Sequence, residues 1–238
     1  MNLLKVIEAD LKAWRYLLRN RILISKSTEK AVVEQFHKLY YNANVFGKTF
    51  VDTFWLGIPL LKCPLDLWVY QEILHELRPD LIIETGTAGG GSALFLATML
   101  DLIGNGKVVT VDIEPNDKRP AHKRIQYLLG SSLSGEIADE VRRFAAKAEK
   151  VMVILDSDHK KQHVLDELKI YSPLVSRGQY LIVEDSDVNG HPVLKDHGPG
   201  PMEAIDEFLR HHKEFVSDPR REKFYLTFNP KGFLLKTR

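Results

Sequence analysis

Cysteine occurs once in 238 residues, at Cys63. A single thiol excludes an intramolecular disulfide and a cysteine-built zinc site, and it fits a reducing compartment, so a cytoplasmic location is expected. Charge of one sign is also scarce. The 33 Lys and Arg are matched by 32 Asp and Glu, for a formal net charge of +1, which speaks against a nucleic-acid binder with its basic stripe. Long apolar runs are missing too. Nothing approaches the ~20 residues a membrane-spanning helix needs. The N-terminal stretch "MNLLKVIEADLKAWRYLLRNRILI" meets a charge every few residues and has no small-residue cleavage site, so it reads neither as a span nor as a signal peptide. No internal repeat or low-complexity tract is present.

What remains is a globular composition, 44% hydrophobic and 27% charged. The length suits one α/β domain, expected over 51–238, behind a helical N-terminal extension over 1–50. In that extension Leu4, Ile7, Leu11, Trp14 and Leu18 recur at helical spacing. Residues 1–30 also carry seven Lys/Arg against three acids. A basic amphipathic helix can lie on a membrane surface as a peripheral contact. Packing on its own domain or on a partner subunit is the stronger expectation, and with it a homo-oligomer.

From Pro64, which can open a helix through Leu67, Val69, Ile73, Leu74 and Leu77, the pattern turns regular. "DLIIETG", "KVVTVDIEP", "IQYLLGSS", "KVMVILDSD" and "GQYLIVEDS" are short apolar strands. Helical segments lie between them, including helix-compatible sequence after Asn116. Strands apolar along their length indicate a parallel sheet buried on both faces, with ligands beyond the C-terminal strand ends. Pro201 starts one more helix, and "KFYLTFNPKGFLLKTR" reads as two strands around an Asn-Pro-Lys-Gly turn. The expected fold is therefore a doubly wound, mostly parallel seven-stranded sheet closed by an antiparallel hairpin. That ending is unusual for dinucleotide dehydrogenases and usual for S-adenosylmethionine-dependent methyltransferases.

The turn "ETGTAGGGS" holds Glu84, Gly86, Thr87, Gly89, Gly91 and Ser92 before a helix. Glycines let the backbone close on a ligand, and the helix start offers free N–H groups to an anion. The spacing is not Gly-x-Gly-x-x-Gly, so a pyrophosphate is poorly supported, whereas a carboxylate needs only a few N–H groups and the Ser92 hydroxyl. Asp112 ends the second strand where ribose hydroxyls would be held, or caps the turn "DIEPND". Ser131 and Ser132 end the third, at an adenine edge or in an ordinary turn. Asp156, with Asp158 beside it, ends the fourth strand, and Glu184 and Asp185 end the fifth. Unneutralised, such carboxylates repel and raise one another's pKa. A hard cation such as Mg²⁺ resolves this and keeps positions open for substrate oxygens.

"RPDLIIETGTAGGGSALFLA", "ILDSDHKKQHVLDELKIYSPLV" and "YLIVEDSDVNGHP…GPGPMEAIDEFL" resemble the family named for cephalosporin hydroxylase and rhamnosyl O-methyltransferase. The metal site resembles that of the catechol and caffeoyl-CoA O-methyltransferases. The resemblance covers roughly residues 52 to 236 and implies Mg²⁺ on Asp156, Glu184 and Asp185. It implies the methionine part of S-adenosylmethionine on Gly86 and Ser92, the ribose on Asp112 and the adenine near Ser132. In catechol-type enzymes a lysine three residues after the first metal aspartate takes the hydroxyl proton. Here that position is His159, with Lys160 next, so the base is one of these two. Those enzymes carry Asp-Asn where this chain has Glu184–Asp185.

The expected activity is S-adenosylmethionine- and Mg²⁺-dependent O-methylation of a small-molecule or sugar hydroxyl. An NAD(P)-dependent oxidoreductase and a non-catalytic nucleoside-binding partner of a biosynthetic enzyme are the alternatives. His159 and His163, at i and i+4, suit an iron site with Asp156. His191, Asp196 and His197 are candidate substrate contacts in the loop after the acidic pair, and His211–His212 reads as an exposed helix end.

Overall fold

The computed structural model describes residues 3–20 and 24–238. They fall into two compact units, one ending at Phe36 and one running from His37 to Arg238. The first unit holds helix α1 (Leu3–Asn20) and the start of α2 (Lys26–Asn42). On α1, Ile7, Leu11, Trp14 and Leu18 are all exposed, and the side chain of Leu4 lies outside the described residues. No described helix is long and apolar enough to cross a membrane.

The second unit opens with a two-residue pair, β1 (Phe54–Trp55) and β2 (Ile58–Pro59), and then α3 (Pro64–Leu77) with Pro64 in its first turn. There follow β3 (Leu81–Thr85), α4 (Gly91–Ile103), β4 (Lys107–Asp112), β5 (Ile125–Leu129), α5 (Gly135–Ala145), β6 (Val151–Leu155), α6 (Lys161–Tyr171), β7 (Tyr180–Val183), α7 (Pro201–His211), β8 (Phe215–Ser217) and β9 (Phe233–Lys236). Strands β3 to β9 form one seven-stranded sheet in the order β5-β4-β3-β6-β7-β9-β8. β5 to β7 in that order pair in parallel, while β9 runs antiparallel to both β7 and β8. The doubly wound sheet with an antiparallel end is as expected.

Period-two alternation explains the layers. Ile83, Val109, Val153 and Val183 point to one face, under Val141 of α5, Leu168 of α6 and Ile205 of α7. Ile82, Val108, Ile154 and Ile182 point to the other, under Ile73 of α3 and Leu96 of α4. Both faces are dry, so each strand is apolar throughout and polar residues collect only at its ends.

Two expectations are corrected. No helix joins β4 to β5: Pro115 and Pro120 bracket turns in which Asn116 accepts the Lys118 N–H, and proline removes the donors a helix would need. The strand preceding the Asn-Pro-Lys-Gly turn also does not form. Its sheet role falls to β8, because Leu226 and Phe228 are buried in a separate cluster with Cys63 and the Phe228 N–H donates to the buried Asp66 carboxylate at 2.9 Å. The turn itself exists, closed by the Gly232 N–H on the Asn229 carbonyl.

β9 is thus the strand that joins the edge strand β8 to the parallel part of the sheet. Leu234, fully buried between β7 and β8, should cost about 2–5 kcal/mol when cut to alanine. Urea denaturation of Leu234→Ala measures this, and a loss within error of zero would make the C-terminal pair an appendage.

Candidate active site

All five parallel strands end on one side, and backbone bonds carry their tips one residue further. The Gly86 N–H donates to Val111 O, Asp156 N–H to Thr85 O and Glu184 N–H to Leu155 O. Asp156 and Glu184 therefore stand side by side although 28 residues separate them in sequence (184 − 156). At Gly86 the chain passes so close that a Cβ would lie 1.8 Å from the Asp156 carbonyl oxygen, at φ +88°. Only glycine meets both conditions. A cavity of about 610 Å³ opens beyond these tips, lined among others by Gly86, Asp112, Ser131, Ser132, Asp156, His159 and Asp185. A smaller one of about 80 Å³ lies between Pro59–Lys62 and the glycine turn, lined by Gly86, Thr87, Gly89, Gly91, Ser92 and Asp156.

Several of the expected residues are engaged within the protein. Glu84 lines neither cavity. It is fully buried behind the turn, where it accepts from the Ser92 hydroxyl and from Thr110 Oγ1 at 2.7 Å, and burial raises its pKa. Ser92 thus spends its proton on Glu84 and keeps only acceptor capacity for a ligand. Asp112 accepts the Ala88 N–H at 2.7 Å and the Glu114 N–H at 2.9 Å, with Arg119 3.2 Å away, so it ties the glycine turn to the β4 tip. Ser131 Oγ accepts the Leu133 N–H, the ordinary-turn arrangement, and Tyr171 holds the Ser132 carbonyl. Lys160 turns to the loop after β7, its Nζ on the His197 carbonyl at 2.9 Å.

Among the described residues, Asp156, His159 and Asp185 form one group whose ligand atoms lie within 4.8 Å of one another. His163 is outside it, 3.0 Å from Ser157 Oγ and 3.5 Å from Glu167. Glu184 is outside it as well. Its Oε1 receives Lys62 Nζ at 2.6 Å and the Tyr70 hydroxyl at 2.8 Å. The same ammonium reaches Asp156 Oδ2 at 2.6 Å. Lys62 is 4% exposed, and although burial opposes its charge, Asp156, Glu184 and Glu84 outweigh that and raise its pKa. Asp185 sits at φ +52°, a left-handed conformation. The Asn229 side chain holds it there, Oδ1 accepting the Asp185 N–H at 3.1 Å and Nδ2 donating to Tyr70. His191, by contrast, pairs with Glu203 at 2.9 Å and His197 with the Gly198 carbonyl, and Asp196 is exposed.

Lys62, Tyr70 and Asn229 were not singled out from sequence. The one local signal was Lys62 itself, a lone charge in the apolar run "IPLLKCPL". Behind the site His37 and Asp187, both buried, meet at 2.7 Å. Burial pushes His37 down and Asp187 up, so one proton serves the pair and it carries no net charge whichever partner holds it.

The protein's kinship follows from this frame. Residues 48–237 match the model of Rhamnosyl O-methyltransferase/CmcI. The chain belongs to that family. It is 43% identical over 215 residues to the rhamnosyl O-methyltransferase of Mycobacterium leprae (strain TN), covering 87% of this chain and 91% of that one. The protein of that name from Mycobacterium tuberculosis (strain CDC 1551 / Oshkosh) is 44% identical over 215 residues, with 87% and 85% covered. Two solved CmcI structures share the fold. An apo form has TM-score 0.63 at 21% identity over 80% of this chain and 78% of that one, and a form with Mg and SAM has 0.64 at 21% over 80% and 79%. The sheet is that of the class I methyltransferases.

His159 Nε2 lies 3.1 Å from Asp185 Oδ2. Burial works against the imidazolium, but Asp185, Asp156, Glu184 and Asp158 outweigh it and raise the His159 pKa. In metal-free protein the pair stabilises the fold fully below the ordinary histidine pKa, and that contribution is lost as pH rises through the raised value. Imidazole NMR should show His159 titrating above its ordinary range and moving back down in Asp185→Asn. An unmoved titration would remove Asp185 as the cause.

Proposed function

We propose that this protein is an S-adenosylmethionine- and Mg²⁺-dependent O-methyltransferase acting on a sugar hydroxyl, with a rhamnosyl unit as the first acceptor class to test. The observation that carries it is the grouping of Asp156, Asp185 and His159 at the mouth of the cavity beside the glycine turn. The relatives' name supplies the acceptor. Residues 51–238 are read as the catalytic domain and 1–50 as its extension.

The residues fit both groups. Two carboxylates with converging oxygens suit a hard divalent ion, and the cavity of about 610 Å³ that runs past Gly86, Asp112 and Ser132 gives room for a nucleoside cofactor. When bound, the ion supplies Lewis-acid polarisation of the acceptor hydroxyl and the cofactor supplies a sulfonium methyl group. Asp156 and Asp185 hold the ion. Gly86 and Ser92 bound the methionine subsite, Asp112 faces the ribose, and Ser132 faces the adenine. His159 is the base. An imidazole nitrogen 3.1 Å from a carboxylate keeps its hydrogen on that side, so Nδ1 is the atom that takes the acceptor's proton. Lys160, engaged with the His197 carbonyl, is not the base.

Calorimetry with S-adenosylhomocysteine, with and without Mg²⁺, and with NADH as competitor tests the cofactor. Binding of the first with no heat from NADH is expected, whereas binding of NADH alone would overturn the reading. With a rhamnosyl glycoside as acceptor, Asp156→Ala should lose methyl transfer by at least about a hundredfold. Transfer at an undiminished rate would remove the metal assignment.

A further inference from the structure

Lys62 presents an electrostatic conflict. Its ammonium sits between Asp156 and Glu184, at 2.6 Å from each, and so stands against Asp156, one of the carboxylates that would hold the ion. An ammonium and a divalent ion on neighbouring carboxylate oxygens repel each other, so each weakens the other's hold. A buried ammonium that gives up both partners needs another anion, because an unpaired charge at that depth is strongly unfavourable.

Among the described residues, the only basic side chain lining the 80 Å³ cavity is Lys62. That cavity also faces Ser92 and the first residues of α4, whose free N–H groups favour an anion. It is the space read above as the methionine subsite, and a methionine moiety brings a carboxylate into it. The cavity therefore offers the ammonium a second station next to the first.

We propose that Lys62 couples the two ligands of the site: its ammonium holds Asp156 and Glu184 in the ligand-free protein and passes to the cofactor's carboxylate on binding, which releases Glu184 to the divalent ion. This rests on the methyltransferase reading. It accounts for the separation of Glu184 from the group formed by Asp156, His159 and Asp185, since Lys62 and Tyr70 occupy its Oε1 until the ammonium leaves. Cofactor and ion then favour each other's binding, and by linkage the effect is the same in both directions.

The test is a binding cycle on metal-stripped protein. S-adenosylhomocysteine is titrated without and with saturating Mg²⁺, and Mg²⁺ without and with the cofactor product, in wild type and in Lys62→Met. In wild type each ligand should tighten the other by about tenfold. In Lys62→Met, Mg²⁺ alone should bind more tightly than to wild type, the cofactor product more weakly, and the mutual effect should shrink to within about twofold. Independent binding of both ligands to wild type would overturn the coupling while leaving the methyltransferase reading in place, and so would coupling that survives in the variant. If wild type binds neither ligand, the functional reading falls and this proposal with it. Should Lys62→Met not fold, Lys62→Gln replaces it, and the wild-type cycle alone still decides whether coupling exists.

Discussion

Everything at the functional end depends on how four carboxylates are kept together at the tips of a dry parallel sheet. Glu84, Asp156, Glu184 and Asp185 all have raised pKa values, with burial the leading cause. Each would shed its charge if left alone. Lys62 supplies one positive charge against them. On the proposed reading a divalent ion supplies two more and the cofactor's sulfonium one, so the assembled site is close to neutral. Of the neighbouring acids, the buried Asp187 shares a proton with His37 and the half-buried Asp112 faces Arg119. An acidic site of this size is stable because its counter-charges are divided between the chain and its ligands.

The C-terminal segment explains how the geometry is held. Asn229, in the turn before β9, accepts the Asp185 N–H and donates to Tyr70, and Tyr70 donates to Glu184. The Ser186 hydroxyl adds a bond to the Pro230 carbonyl. One turn thus fixes Asp185 in its left-handed conformation and links both acids to α3. Backbone strain of about 1–3 kcal/mol persists only where the surroundings over-determine it, and these contacts do so. The residues before this turn are committed elsewhere, Leu226 and Phe228 to the cluster with Cys63 and the Phe228 N–H to Asp66, so β8 comes from further upstream.

The parallel strands and the acids at their tips could be read from sequence because burial on both faces leaves a local signature, an apolar run with an abrupt charged end. The cavity-lining residues Gly86, Asp112, Ser132, Asp156 and Asp185 were found through it. Glu184 was found too, but its engagement was not. Lys62 lies 122 residues from Glu184, Tyr70 lies 114 from it, and Asn229 lies 159 from Tyr70. Contacts across such distances leave no periodicity to detect. The missing β4–β5 helix is different in kind, because Pro115 and Pro120, which oppose it, are local features of the sequence.

The proposed chemistry moves charge in a way this site is built to accept. On the proposed reading the cofactor would bring one positive charge on its sulfur, and after transfer to the acceptor hydroxyl an equal charge would remain as the proton taken up by His159. Positive charge would therefore travel from sulfur to imidazole while the total at the site stays the same. Asp185, 3.1 Å from His159, would stabilise that charge. A lysine at position 159 would be cationic before the reaction and would have to lose its proton to serve, whereas an imidazole is neutral or charged within the physiological range. The carboxylates around His159 raise its pKa and so favour the charged product form. A divalent ion on Asp156 and Asp185 would draw off part of that influence and return the imidazole toward neutrality when the acceptor arrives. The same ion that activates the hydroxyl would thereby prepare the base that deprotonates it.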